Sequence, residues 1–155
     1  MGRLWIVAAG RIRHPGIRQA TEEYLARAAR MGMAARVVEV RQGSALGGGT
    51  AAMREEARRM LTLSLPSRVV RVALEVNGRT FTSEGFAGWL EARLSEADVA
   101  FFVGGAWGLD PEIVRLCDER LSLSPLTLAH ELARLILAEQ IYRAATLVRG
   151  APYHK

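Results

Sequence analysis

The chain has 155 residues and a mass of 17.0 kDa, with half of its residues hydrophobic and 24% charged, enough apolar material for one domain over residues 1–155. Its apolar runs (residues 4–9, 99–103 and 135–138) fall far short of the ~20 residues of a membrane span, and the first of them is too short for a signal peptide. Cys117, the only cysteine, excludes an intramolecular disulfide and a multi-cysteine zinc site, so the expectation is a cytoplasmic protein with no metal and no membrane partner.

Charge is unevenly placed. The 21 Lys+Arg against 16 Asp+Glu give +5, but residues 1–79 hold 14 Arg against 6 acids, whereas residues 80–155 hold 7 Lys+Arg against 10 acids. The first half is therefore the basic one, a weak pointer to nucleic acid. Lys155 is the only lysine, and an arginine bias of this kind also follows from genome composition or heat adaptation.

Strand-like and helix-like patterns alternate along the chain. Residues 3–9 read as a strand, broken by 10–16 with His14-Pro15. Ile17, Ala20, Tyr24, Leu25 and Ala28 follow 3-4 spacing and predict an amphipathic helix ended by Gly32. A second strand covers 36–40; residues 43–49 are a glycine-rich loop, and Thr50 is the expected cap of a basic helix to about Leu61. Residues 68–76 give a third strand closed by a turn at Asn77-Gly78. Ser83 is the expected cap of a helix carrying Phe86, Trp89, Leu90 and Leu94. Residues 99–103 are apolar on both faces, the mark of a central strand in a parallel sheet. Asp110-Pro111-Glu112 then has the composition of a helix start. Residues 120–124 form a short last strand, and a long helix runs from about Ala129 to Val148. Strands separated by helices in this way predict an α/β fold with a mostly parallel sheet flanked by helices.

Three segments carry chemistry. The loop V-G-G-A-W-G at 103–108 follows the central strand, where open α/β sheets bind ligands, and adjacent glycines admit close backbone approach. It lacks G-x-G-x-x-G and a P-loop lysine, which argues against a dinucleotide or triphosphate. The stretch 121–128 (LSLSPLTL) mixes apolar residues with hydroxyls and suits a purine held by backbone groups. In the last helix Glu139 and Arg143 are four apart and so neighbours, by default a surface ion pair, and the tail 152–155 (PYHK) bunches an aromatic, an imidazole and a cation where chains usually fray.

Together, V-G-G-A-W-G-L from 103, L-S-L-S-P-L-T-L-A-H from 121, A-E-Q-I-Y-R-A from 138 and the terminal P-Y-H-K resemble the RlmH family of SPOUT methyltransferases in order and spacing over the whole chain. Ala129 and Trp107 depart from the family pattern. The resemblance implies a C-terminal trefoil knot, one of the rare exceptions to unknotted topology, and a homodimer with its active site at the interface. It implies S-adenosyl-L-methionine held by Leu74, Gly104, Leu123, Ser124, Pro125, Leu126, Thr127 and Leu128. The implied reaction is methylation of N3 of a pseudouridine in helix 69 of 23S rRNA, on the assembled 70S ribosome.

For that chemistry the imide proton must leave, which makes His154 the candidate base. Arg143 is the candidate for stabilising charge on the flanking carbonyl oxygens, Tyr153 for stacking on the flipped base, and Glu139 for orienting Arg143. His130 reads as structural. Arg11, Arg13, Arg18, Arg54, Arg58 and Arg59 are the expected contacts to rRNA backbone. Two other readings are a non-catalytic RNA- or ribosome-binding factor of the same fold and a flavodoxin-like nucleotide binder.

Overall fold

The structure is a computed structural model describing residues 1–155. Its five strands are β1 (Leu4–Ala9), β2 (Ala35–Val40), β3 (Val69–Arg79), β4 (Asp98–Val103) and β5 (Glu119–Leu121), in the order β2-β1-β4-β3-β5. All neighbours are parallel. The run at 99–103 is central as expected, because β4 is hydrogen-bonded on both edges and covered on both faces.

The period-2 geometry of strands sorts their side chains between two cores. Leu4, Ile6 and Ala8 of β1 and Val99, Phe101 and Val103 of β4 point to one face of the sheet, where they meet α1 (Pro15–Arg30), α3 (Ser83–Glu96) and α5 (His130–Arg149). Trp5, Val7, Ala9, Ala100 and Phe102 point to the other, against α2 (Gly48–Leu61) and α4 (Pro111–Leu116). The first core is the larger and holds the middle of α5 through Leu137, Ile141, Ala144 and Ala145, all essentially without solvent contact.

Several boundaries differ from those the sequence suggests. α1 starts at Pro15 rather than Ile17, because the His14 imidazole accepts the Ile17 N–H at 3.2 Å and Pro15 supplies a preset first turn. Thr50 caps nothing: α2 begins at Gly48, after one turn of 3₁₀ helix (Ala45–Gly47) capped by Ser44. Thr82, one residue before Ser83, caps α3 by accepting the Gly85 N–H at 3.0 Å. Asn77-Gly78 makes no turn. β3 runs through it to Arg79, which pairs with Leu121 after a register shift and accepts the Ser122 N–H at 2.9 Å. β5 correspondingly starts at Glu119 and stops at Leu121, short of Ser124.

Two ties fix the start of α5 against the β1 end of the sheet. Glu131, in its first turn, accepts the N–H groups of Arg13 (3.0 Å) and His14 (3.2 Å), and the first of these bonds does most to hold its carboxyl below the usual range. Arg134 is buried and donates to the Gly10 carbonyl at 3.1 Å and to Glu39 at 2.7 Å. Arg134→Ala leaves the Gly10 carbonyl and Glu39 without this donor. A fully buried pair costs roughly 3–5 kcal/mol to break; Glu39 is partly in water, so the expected loss is about 2 kcal/mol, read from chemical denaturation at neutral pH.

Candidate functional site

Beyond the carboxyl end of β4 lies a cleft of about 660 Å³, within the size range of small-molecule sites. Three segments line it: residues 74–77 of β3, the loop 103–109, and 123–130 apart from Pro125, with Ala133 of α5 closing one side. Of the residues expected to hold the cofactor, Leu74, Gly104, Leu123, Ser124, Leu126, Thr127 and Leu128 share this cleft. Pro125 does not: it is exposed and turns outward. The turn around it is built by hydroxyls, since Ser122 donates to the Ser124 carbonyl at 2.9 Å and Ser124 Oγ accepts the Leu126 N–H at 3.0 Å.

Gly104 is required by close packing. A Cβ there would stand 2.3 Å from the Gly108 carbonyl carbon, so any side chain would force the loop open. Glu75, absent from the sequence-based set, is the one carboxylate among the lining residues. Its Oε2 is buried without a hydrogen-bond partner. Buried polar atoms are normally paired, which makes this unpartnered oxygen at the wall of the cleft an exception.

The second group of residues lies elsewhere. Glu139 accepts from Arg143 at 2.7 and 3.1 Å and from the Tyr153 hydroxyl at 3.1 Å. The pair is not the surface ion pair expected from spacing, since the two side chains are only 23% and 19% exposed. Glu139 pushes the Arg143 guanidinium further up, and burial, ahead of the contacts with Tyr24 and Glu139, pushes the Tyr153 phenol up to about 12. Both groups therefore keep their protons at neutral pH. The guanidinium also lies 4.7 Å from the centre of the Tyr153 ring, which packs edge-on against Tyr142. His154 completes the cluster, with Nδ1 3.1 Å from Arg143 and Nε2 2.6 Å from Glu84 of α3. The tail is docked rather than frayed because Gly150 ends α5 in the left-handed conformation (φ 67°) and turns the chain back along the helix.

The four candidate catalytic residues are thus together, but apart from the cleft. Ala133 lines the cleft and Arg143 is ten residues further along the same helix, about 15 Å at the α-helical rise. His130 does line the cleft.

The expected phosphate-contacting arginines also divide. Arg11, Arg13, Arg18, Arg54 and Arg58 are exposed. Arg59 is tied down by bonds to the carbonyls of Arg41 (2.8 Å) and Gln42 (3.2 Å) and to Glu55, so it is a strut of the β2–α2 connection and not a free cation.

The model of one family, described as "Predicted SPOUT methyltransferase", matches residues 3–154. The chain belongs to the SPOUT methyltransferase family. It is 42% identical over 154 residues, covering 99% of both chains, to a Gemmatimonas aurantiaca protein named ribosomal RNA large subunit methyltransferase H. A protein of the same name from Anaeromyxobacter sp. is 43% identical over 154 residues, covering 97% of each. Among solved structures, a probable methylase family protein from Haemophilus influenzae superimposes with a TM-score of 0.57 at 13% identity, covering 99% of this chain and 71% of that one. A probable methyltransferase from Bordetella pertussis gives 0.54 at 17%, covering 93% and 95%. These two share the fold.

Glu139 is the hub of the tail cluster, so Glu139→Ala should free the tail. Carboxypeptidase is expected to trim residues 151–155 faster than in the wild type, while the far-UV circular dichroism stays unchanged.

Proposed function

We propose that this SPOUT methyltransferase transfers a methyl group from S-adenosyl-L-methionine to N3 of a pseudouridine in helix 69 of 23S rRNA, acting in the cytoplasm on the assembled 70S ribosome. The names and full-length identity of its relatives support the rRNA substrate. The observation that carries the reading is the presence of two separate features in one chain: a glycine-lined cleft with Glu75 as its one carboxylate, and a hydrogen-bonded cluster of Arg143, His154, Tyr153, Glu139 and Glu84.

The residues of the cleft fit the cofactor. Its volume suits a nucleoside-sized ligand, the hydroxyls of Ser124 and Thr127 and the backbone of 123–128 offer polar contacts, and Glu75 Oε2 awaits a donor such as an ammonium or a ribose hydroxyl. When bound, S-adenosyl-L-methionine supplies an electrophilic methyl on a sulfonium, whose S–C bond breaks with its electrons staying on sulfur. The cleft residues align that ligand and keep water away, which is where most of the acceleration of an in-line displacement comes from.

The tail cluster handles the acceptor. An imide presents a carbonyl oxygen beside an N–H; Arg143 Nη1 donates to His154 Nδ1 at 3.1 Å, and an imide that displaces this contact meets a donor and an acceptor in the complementary pattern. Arg143 donates to the carbonyl oxygen, on which charge grows as the proton leaves. His154 Nδ1 takes the N3 proton, and the freed pair on N3 forms the new N–C bond. Tyr153, beside Arg143, is the residue that stacks on the flipped base.

One protomer does not bring the two halves together, so the working site is formed by a homodimer in which the tail of one subunit serves the cleft of its partner. Exposed Trp107, Leu126, Leu132 and Val76 provide apolar surface around the cleft for such an approach. The threading of the last segment through a trefoil knot belongs to the same reading, as does docking of Arg11, Arg13, Arg18, Arg54 and Arg58 on rRNA phosphates.

His154→Ala and Arg143→Ala should each slow single-turnover methylation of ribosomes from a strain lacking the activity by about 100-fold, with cofactor affinity by calorimetry unchanged. Wild-type rates in both would exclude the assignment. Mixing Gly104→Ala with His154→Ala subunits should restore about a quarter of wild-type activity, since half of randomly paired two-fold dimers hold one complete site each. Ribosome affinity should fall steeply with salt, less so after Arg54→Ala/Arg58→Ala.

A further inference from the structure

The role of base assigned to His154 depends on which ring nitrogen carries the proton, and the structure determines this. Arg143 has only N–H groups and no acceptor, so at 3.1 Å it must donate, and Nδ1 must accept with its lone pair. The proton of the neutral imidazole is therefore on Nε2. That N–H points at Glu84 Oε1, 2.6 Å away, the one acceptor recorded for it. We propose that Glu84 is the positioning carboxylate of His154, holding the Nε2–H tautomer that leaves Nδ1 as the acceptor nitrogen. The proposal rests on the reading of His154 as base.

Glu84 is suited to this. It lies in the first turn of α3, just after the Thr82 cap, where free N–H groups and the helix dipole favour a carboxylate. A hydrogen bond from its own backbone N–H, followed by the one from His154, holds its carboxyl below the usual range. The groups facing His154 are Glu84 from α3, Arg143 from α5 with Glu139 behind it, and Tyr153 from the tail itself. Of these only Glu84 bonds Nε2. Glu139 is committed to Arg143 and Tyr153, and also accepts from the Gln140 side-chain amide at 2.7 Å. Gln140 in turn accepts the Ser83 hydroxyl at 2.9 Å, so the start of α3, from which Glu84 projects, is tied to α5. The arrangement is a carboxylate-histidine pair in which the third group orients the base. Glu84 touches neither the cofactor cleft nor Arg143 by hydrogen bond, and it was invisible to sequence reading because it lies 70 residues from His154.

The test combines kinetics with nitrogen-15 NMR of the imidazoles in the full-length enzyme, the His154 signals being assigned by their loss in His154→Ala. In the wild type His154 should show the Nε2–H tautomer. In Glu84→Ala its signals should move toward a tautomer mixture and kcat should fall about tenfold, with KM for ribosomes and cofactor affinity unchanged. In Glu84→Gln the amide oxygen can accept the same bond, so the tautomer should persist and kcat should stay within about threefold of wild type. A Glu84→Ala enzyme with unshifted His154 signals and wild-type kcat overturns the proposal, as does a Glu84→Gln enzyme as slow as Glu84→Ala. Wild-type rates in His154→Ala with the Glu84-dependent tautomer intact overturn instead the base reading beneath it.

Discussion

The rigid length of α5 is the constraint on which the rest of the molecule depends. Twenty residues of helix span about 30 Å, and its middle is clamped into the larger core by Leu137, Ile141, Ala144 and Ala145, so it neither bends nor slides at low energy. Its first turn is pinned to the sheet by Glu131 and Arg134 and opens onto the cleft. Glu139 and Arg143, from its middle onward, carry the cluster that the tail joins. Cleft and cluster are thus held apart along one rod, and a helix in a close-packed core does not fold in half to bring them together.

The tail cluster works as a chain of alternating charge and polarity: Glu84, His154, Arg143, Glu139, Tyr153. Each member satisfies its neighbour, which explains how a segment with so little apolar area stays docked. The guanidinium, bonded to Glu139 through Nε and Nη2, still directs Nη1 toward the imidazole. What a substrate has to displace is a single N–H···N contact, while the orienting bonds behind it stay in place. The difference between the two ends of α5 is chemical as well as spatial: the cleft is nearly free of charge, and the cluster is held together by charge.

Much of this was legible in the sequence. The strands and α-helices follow the order the sequence suggests because the periods of 2 and 3.6 are strong where a face is fully buried, as in β4 and α5, and the motif segments fall at the cleft and at the tail cluster. The misses share a cause: local signals lost to tertiary ones. Asn77-Gly78 reads as a turn, yet β3 continues past it to Arg79, which pairs with Leu121 after a register shift. Counting arginines gave the sign of the basic half but not that Arg59 was spoken for by carbonyls across a loop. Pro125 sits inside a cofactor-type stretch and still turns outward. Glu75 and Glu84 were out of reach because an orphaned oxygen and a contact across 70 residues have no periodicity to read.

Gly150 gives the enzyme an unusual sensitivity. Nothing lies within 4 Å of where its side chain would be, so space alone would admit any residue, and only the positive φ argues against one. Yet the four residues beyond it form an arm of up to ~13 Å, and rotating such an arm by about 30° would sweep the imidazole through roughly 6 Å, twice a hydrogen-bond length. A torsion in a residue that belongs to no part of the cluster therefore sets where the imidazole points. Damage there would be felt first in the aim of the tail and only later in the folding of the rest.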